Sequence, residues 1–237
     1  MNSFARRFLA LALAVFGIIY LLHACRPAVF FPGPPWQASG NPMINVLVGF
    51  LFIGAAAILG LPKAPNPLSV CVPITLFAYT VCLHWTVLLV DPANPQALTS
   101  TCEVIGLACG CLAASGMALR FGRILYAFSL IGLAVQHFRF TAFVVAMVPS
   151  WYPMHAIWPF VTAAGFLAGA LSYLTGIQVR LASILLATMF GLFAVTLHAP
   201  DVAAHLTSGG RWTGMFVALG FASGALMFTG SAKSKPA

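Results

Sequence analysis

Charge is what this chain has least of. Its 237 residues hold only three carboxylates and eleven Lys or Arg, so charged residues make up 6% of the sequence while hydrophobic ones make up 61%. A soluble domain carries roughly 25% charged residues. With a mean hydropathy of +1.00, the chain has no way to cover itself with polar surface in water. That excludes a soluble globular domain and indicates an integral membrane protein in contact with a lipid bilayer. The formal charge of +8 does not mark a nucleic-acid partner, because most of the eleven cations flank apolar runs and act as topology signals. His-x-x-x-His and Cys-x-x-Cys spacings are absent as well, which leaves haem or a metal without support in the sequence. No stretch is polar enough or long enough to form a soluble domain, and the charged tail 231–237 is too short for one.

What is present is apolar sequence in repeated lengths. Eight segments, 8–24, 43–61, 68–90, 98–117, 121–147, 157–175, 181–199 and 212–230, approach the span of a membrane-crossing helix, which needs about 20 residues. The predicted fold is an all-α membrane protein of eight transmembrane helices. Pro-, Gly- and Asn-rich links separate them, such as Pro62-Lys63-Ala64-Pro65-Asn66-Pro67 and Asp91-Pro92-Ala93-Asn94-Pro95. The fifth segment is long, and Pro149 and Pro153 are expected to break it, because proline lacks the amide N–H and restricts the residue before it. Residues 1–26 imitate a secretory signal ending in Leu22-His23-Ala24-Cys25, close to a lipoprotein cleavage site. The His before the Ala, and a counterpart segment later in the chain, favour a retained first helix.

Orientation follows from the cations. With the N-terminus in the cytoplasm, Arg6, Arg7, Lys63, Arg120, Arg123, Arg180, Lys233 and Lys235 all fall inside, eight of the eleven, while Arg26, Arg139 and Arg211 fall outside. Both termini are therefore expected to be cytoplasmic. Trp36, Trp151, Tyr152, Trp158 and Trp212 then gather at the outer interface, where amphipathic rings are at home.

The chain also repeats itself. One ungapped shift of 114 positions brings Arg6 onto Arg120, His23 onto His137, Pro35 onto Pro149, Phe52 onto Phe166, Ser69 onto Ser183 and Leu83-His84 onto Leu197-His198. It also brings Gly106, Ala108 and Gly110 onto Gly220, Ala222 and Gly224, and it superposes the apolar segments and their breaks. Two four-helix units are expected, 1–117 and 118–230, followed by the short basic tail 231–237. With four helices each, both units enter the membrane in the same sense, so the expected relation is a pseudo-two-fold axis along the membrane normal.

Residues 136–158 hold the most distinctive sequence: Gln136-His137-Phe138, then Val148-Pro149-Ser150-Trp151-Tyr152-Pro153, His155 and Trp158. Together with Arg180-Leu181-Ala182, His198-Ala199-Pro200 and Trp212, these motifs resemble the DoxX-like membrane proteins, a family of four-helix units that is often bacterial and in some relatives is doubled. The resemblance covers 121–228 well and the first half diffusely. It implies a bacterial inner-membrane protein linked to respiratory or sulfur-linked electron transfer, in some members next to quinones, with a membrane or periplasmic oxidoreductase as partner. Two positions depart from the family pattern: Asp201 stands where a basic residue is expected, and Arg211 where an acidic one is expected.

Candidate site residues follow from depth. At about 1.5 Å per residue, His23 and His84 lie about 22–24 Å into their helices, and His137 and His198 about 23–25 Å, in a hydrocarbon core about 30 Å thick. All four are expected in one layer of the outer third. Neutral imidazole there can donate to a quinone carbonyl, accept from a quinol, or serve only as an interfacial hydrogen-bonding group. The proline-broken turn should fold over the outer end of its unit and cover a pocket lined by His137 and His198. Arg139 would orient a carbonyl or anion, and Trp151 or Trp158 would stack on the ligand, with His155 beside them. Quinone is the cofactor-like ligand this pocket suits, being flat and having two carbonyl acceptors. Glu103, the only carboxylate well inside an apolar segment, is a candidate proton relay, or else a hydrogen-bonding group between helices. Cys25, Cys71, Cys82, Cys102, Cys109 and Cys111 all lie in the first half, and helix packing is the plainest role for them. An enzymatic role stays open against a non-enzymatic scaffold, or a protein that binds or carries lipids or small hydrophobic molecules.

Overall fold

The computed structural model describes residues 3–22, 42–61, 67–116 and 118–230. Among them the chain is all-helical, without strands. Eight helices are long and apolar enough to cross a membrane: α1 Ser3–Leu22, α2 Pro42–Gly60, α3 Leu68–Val90, α4 Pro95–Ala114, α5 Leu119–Arg139, α6 Trp158–Thr175, α7 Val179–Ala204 and α8 Gly209–Gly230. In a bilayer every backbone polar group needs an internal partner, which a helix supplies along its own length.

Local chemistry sets the ends. α4 starts earlier than the apolar run suggests: Asn94 caps it, its side chain accepting from the Ala97 amide at 3.0 Å, and Pro95 occupies the first turn, where its missing N–H costs nothing. α6 ends at Gly176, which takes the left-handed conformation (φ +79°) that a helix C-terminus favours. α5 does not run on to Met147. It stops at Arg139, and a short separate helix, Thr141–Val145, follows. The break lies at Phe140 (φ −120°, ψ 43°), well before the prolines. Just past it, the Thr141 hydroxyl donates to the carbonyls of His137 and Phe138 at 2.9 and 3.0 Å. Pro149 and Pro153 shape the turn beyond instead of ending the helix.

α4 is the most enclosed span, with 78% of its apolar window buried, against 22% for α7 at the rim. α1 packs on α2 and α8, α5 on α4 and α6, α4 on α3 and α8, and α8 on α7. The α4–α8 crossing is close because both helices present glycine. A side-chain carbon on Gly110 would stand 3.0 Å from the Gly224 Cα, inside an ordinary carbon–carbon contact of about 3.5–4.0 Å. On either side of that crossing, Gly106 faces Phe221 and Gly220 faces Leu107. Around it lies a core of Tyr20, Tyr126, Tyr173, Phe52, Phe166, Phe221 and Phe228, all fully buried. Buried tyrosine needs a partner: Tyr126 donates to the Phe221 carbonyl at 2.9 Å, and the Tyr20 and Tyr79 hydroxyls meet at 2.6 Å.

The two ends of the bundle differ. The starts of α1, α5 and α7 carry Arg6, Arg7, Arg120, Arg123 and Arg180, and this is called the basic end. The far ends of α3, α5 and α7 carry His84, His137 and His198, and this is called the histidine end.

Candidate ligand site at the histidine end

α7 leaves the α-helical register as it approaches the histidine end. Phe193–His198 form a π-helical turn, and Thr80–Trp85 form another at the corresponding place in α3. Such turns hold one residue too many, are rare, and concentrate at functional sites. His198 closes the turn in α7, and His84 lies within the turn in α3. In α7 the Thr196 hydroxyl donates to the Leu192 carbonyl at 2.7 Å, and it accepts from the Tyr152 hydroxyl at 2.9 Å. Tyr152 thus ties the aromatic turn to the π turn.

The aromatic turn folds back on itself as well. Trp158 Nε1 donates to the Pro153 carbonyl at 2.8 Å, and His155 Nε2 donates to the Ser150 carbonyl at 3.3 Å. The Tyr152 ring meets Trp158 edge-on at 5.2 Å, and the Trp151 ring lies tilted 4.4 Å from it. Trp151 is 62% exposed, so it lies on the outside of the turn.

The histidines differ in what they can offer. His137 is buried, and its ring meets Phe166 edge-on at 5.2 Å. Its Nδ1 donates to the Leu133 carbonyl at 2.8 Å, which leaves Nε2 of the neutral ring as an acceptor. Next to it, Gln136 is 1% exposed and its Nε2 has no hydrogen-bond partner among the described residues. An unanswered buried amide costs about 1–3 kcal/mol. His198 is half-buried and lies against α8, where a side chain at Gly214 would stand 3.1 Å from its Nδ1 and Cε1. Glycine at 214 is what lets the ring sit there. His137 and His198 make neither a ring contact nor a hydrogen bond with each other: one faces α6, the other α8.

His84 is fully buried, edge-on to Tyr79 at 5.3 Å, and Tyr79 packs on Phe52. His84 is thus enclosed where its counterpart His198 is half-buried. His23 lies outside the described residues, as do Cys25, Arg26 and Trp36. Arg139 is exposed, its guanidinium 5.2 Å over the Phe140 ring. Glu103 is half-buried and makes no hydrogen bond or ion pair among the described residues. Cys71, Cys82, Cys102, Cys109 and Cys111 are free thiols, and Cys102 fills the space over Gly132.

At the rim, Asp201 accepts from Arg211 at 2.6 Å and from His205 at 3.1 Å. The two positions that depart from the DoxX-like pattern therefore pair with each other. Trp212 Nε1 donates to the Leu206 carbonyl at 2.9 Å and holds the link between α7 and α8. Two shallow apolar grooves lie elsewhere. One, of about 300 Å³, runs between α1 and the start of α8 and is lined by residues including Ile18, Leu22, Leu206 and Trp212. The other, of about 310 Å³, lies between α2 and α3 beside Tyr79 and Cys82. Neither is lined by His137 or His198.

Sequence reasoning missed Gly214, Thr196 and the unanswered amide of Gln136. Gly214 could have been noticed as the repeat counterpart of Ser100, small at both positions. Comparison with family models, curated proteins and solved structures finds no match to this chain.

Proposed function

We propose that this protein is a doubled four-helix membrane protein whose second unit holds a flat, hydrophobic carrier of the quinone class at the histidine end and serves a redox complex there. The observation that carries the reading is the π-helical turn ending in His198, with a half-buried imidazole seated on a glycine and tied to the aromatic turn through Thr196 and Tyr152. The neighbouring chemistry fits such a ligand. Gln136 brings a buried donor without a partner among the described residues, and His137 Nε2 is an acceptor. A quinone carbonyl takes the first and a quinol hydroxyl uses the second. Trp158 and Tyr152 offer ring faces, and Arg139 stands at the rim for a carbonyl or anionic group. The DoxX-like motifs support the redox setting, with a membrane or periplasmic oxidoreductase as partner, a bacterial inner membrane as the location and both termini in the cytoplasm.

The doubled architecture is part of the same proposal. Its support is that α5 packs on α4 as α1 packs on α8, and that the central crossing pairs Gly110 with Gly224. The flanking contacts Gly106–Phe221 and Gly220–Leu107 exchange with each other under the 114-residue shift. A second reading, a binder or carrier of lipids or other small hydrophobic molecules without redox partners, draws on the apolar groove beside Trp212.

Organic extraction of the protein purified in mild detergent separates the two. Quinone recovered in near-stoichiometric amount supports the redox reading. Lipid alone, together with failure to take up added quinone, favours the second.

A further inference from the structure

At the basic end lies a largely buried cation that nothing among the described residues answers. Arg6, one turn into α1, is 6% exposed, and its Nε and Nη2 are buried without a hydrogen-bond partner among the described residues. Its level in the bundle follows from the antiparallel packing of α1. Leu9 meets α4 at Gly110, and Ala12 meets α8 at Gly220. One turn nearer the basic end, Arg6 therefore sits level with the last turns of α4 and α8, where Ala113, Ala114, Met227 and Phe228 are buried and apolar.

A guanidinium stays protonated under all physiological conditions and presents five donors in a rigid fork. Burying it without an anion is costly. Among the described residues no carboxylate reaches it. The chain's three side-chain carboxylates are Asp91, Glu103 and Asp201. Asp91 follows the end of α3 and Asp201 belongs to the rim pair with Arg211, both at the histidine end. Glu103 lies on α4 eleven residues before Ala114, about 16 Å along the helix axis. Arg123, the other buried arginine at this end, is different: its guanidinium reaches the α6 terminus, with Nη2 3.5 Å from where a Gly176 side chain would begin.

We propose that Arg6 anchors a phosphate site at the basic end of the bundle, taking the headgroup phosphate of an anionic membrane lipid through donors that the described residues leave unanswered. The placement suits a lipid. Arg6 stands in the first turns of a membrane-spanning helix, at the depth where headgroups meet hydrocarbon, and exposed Arg7 beside it adds attraction to an anionic leaflet. Arginine binds phosphate bidentately, which a point-charge lysine does not reproduce.

The test uses the full-length protein in detergent, with native mass spectrometry reading lipid retained after adding phosphatidylglycerol, phosphatidylcholine or inorganic phosphate. The wild type should retain phosphatidylglycerol in preference to phosphatidylcholine. Arg6→Met and Arg6→Lys should each weaken that retention about tenfold, the loss of a bidentate charge-assisted pair, while Arg7→Gln should change it less than about twofold. Equal retention by the wild type and Arg6→Lys overturns the proposal even if Arg6→Met fails to insert. Inorganic phosphate that binds as tightly as the lipid, and displaces it, overturns the lipid assignment and leaves a site for free anions.

Discussion

Replacing Gly110 with alanine should destabilise the protein, whereas the same replacement at Gly54 should stabilise it. A β-carbon at Gly110 would stand 3.0 Å from the Gly224 Cα, a backbone atom that cannot swing away, whereas one at Gly54 would have nothing within 4 Å. Alanine in place of glycine inside a helix gains about 1 kcal/mol at both positions. Overpacking at a close crossing costs about 1–3 kcal/mol. Gly110→Ala should then be about 1–3 kcal/mol less stable than Gly54→Ala, a factor of roughly 5 to 150 in the unfolding equilibrium. Gly224→Ala should behave like Gly110→Ala, since its β-carbon would come 3.2 Å from the Tyr126 ring and 3.4 Å from the Gly110 Cα. Gly191→Ala, with open space around it, should behave like Gly54→Ala. Reversible unfolding in mixed micelles titrated with a denaturing detergent reads the differences. If all four substitutions shift stability in the same direction by the same amount, α4 and α8 do not cross at these glycines, and the axis proposed to relate the two units is lost.

Other consequences can be checked in the same preparations. Tyr152→Phe removes the hydroxyl that joins the aromatic turn to Thr196, at a cost of about 1 kcal/mol. Proteolysis and hydrogen exchange within 146–157 should quicken, and adding Thr196→Val should bring no further change; fully additive effects would mean that the bond does not hold the turn. Asp201→Asn should cost under about 1 kcal/mol, because the pair with Arg211 is exposed, and the loss should shrink in high salt. A loss above about 3 kcal/mol would instead indicate a buried pair. Reporter fusions after Lys63 and Arg180 should read cytoplasmic, and those after Asn94 and Ser208 periplasmic; a periplasmic signal at Lys63 would break the four-plus-four arrangement.

The number and placement of the spanning helices could be read from the sequence because lipid demands about twenty apolar residues per crossing and short polar breaks between them. The ends could not. α5 stops where the Phe140 backbone leaves the helical region (φ −120°, ψ 43°), a local change that hydropathy cannot register. Asn94 and Pro95 read as a link by composition, yet they cap and open α4. The repeated histidines were visible as residues, but the π turns that display them were not, since one extra residue in a turn leaves no compositional mark. Gly214 carries no motif either; its role appears only once His198 lies over it.

The most direct measurement is binding of a soluble short-chain quinone to the purified protein, titrated for the wild type, His198→Ala, His137→Ala and Gln136→Leu. Loss of one buried polar contact of about 1.5–3 kcal/mol should weaken binding about tenfold or more at His198. Similar losses should appear at His137 and Gln136, while all variants still insert. Trp158→Leu tests the ring face assigned to the ligand and should weaken binding by less than the His198 change, while Trp151→Leu, on the exposed side of the turn, should leave it unchanged. Binding indistinguishable from the parent in both His198→Ala and His137→Ala would contradict the account and leave the histidines as interfacial hydrogen-bonding groups.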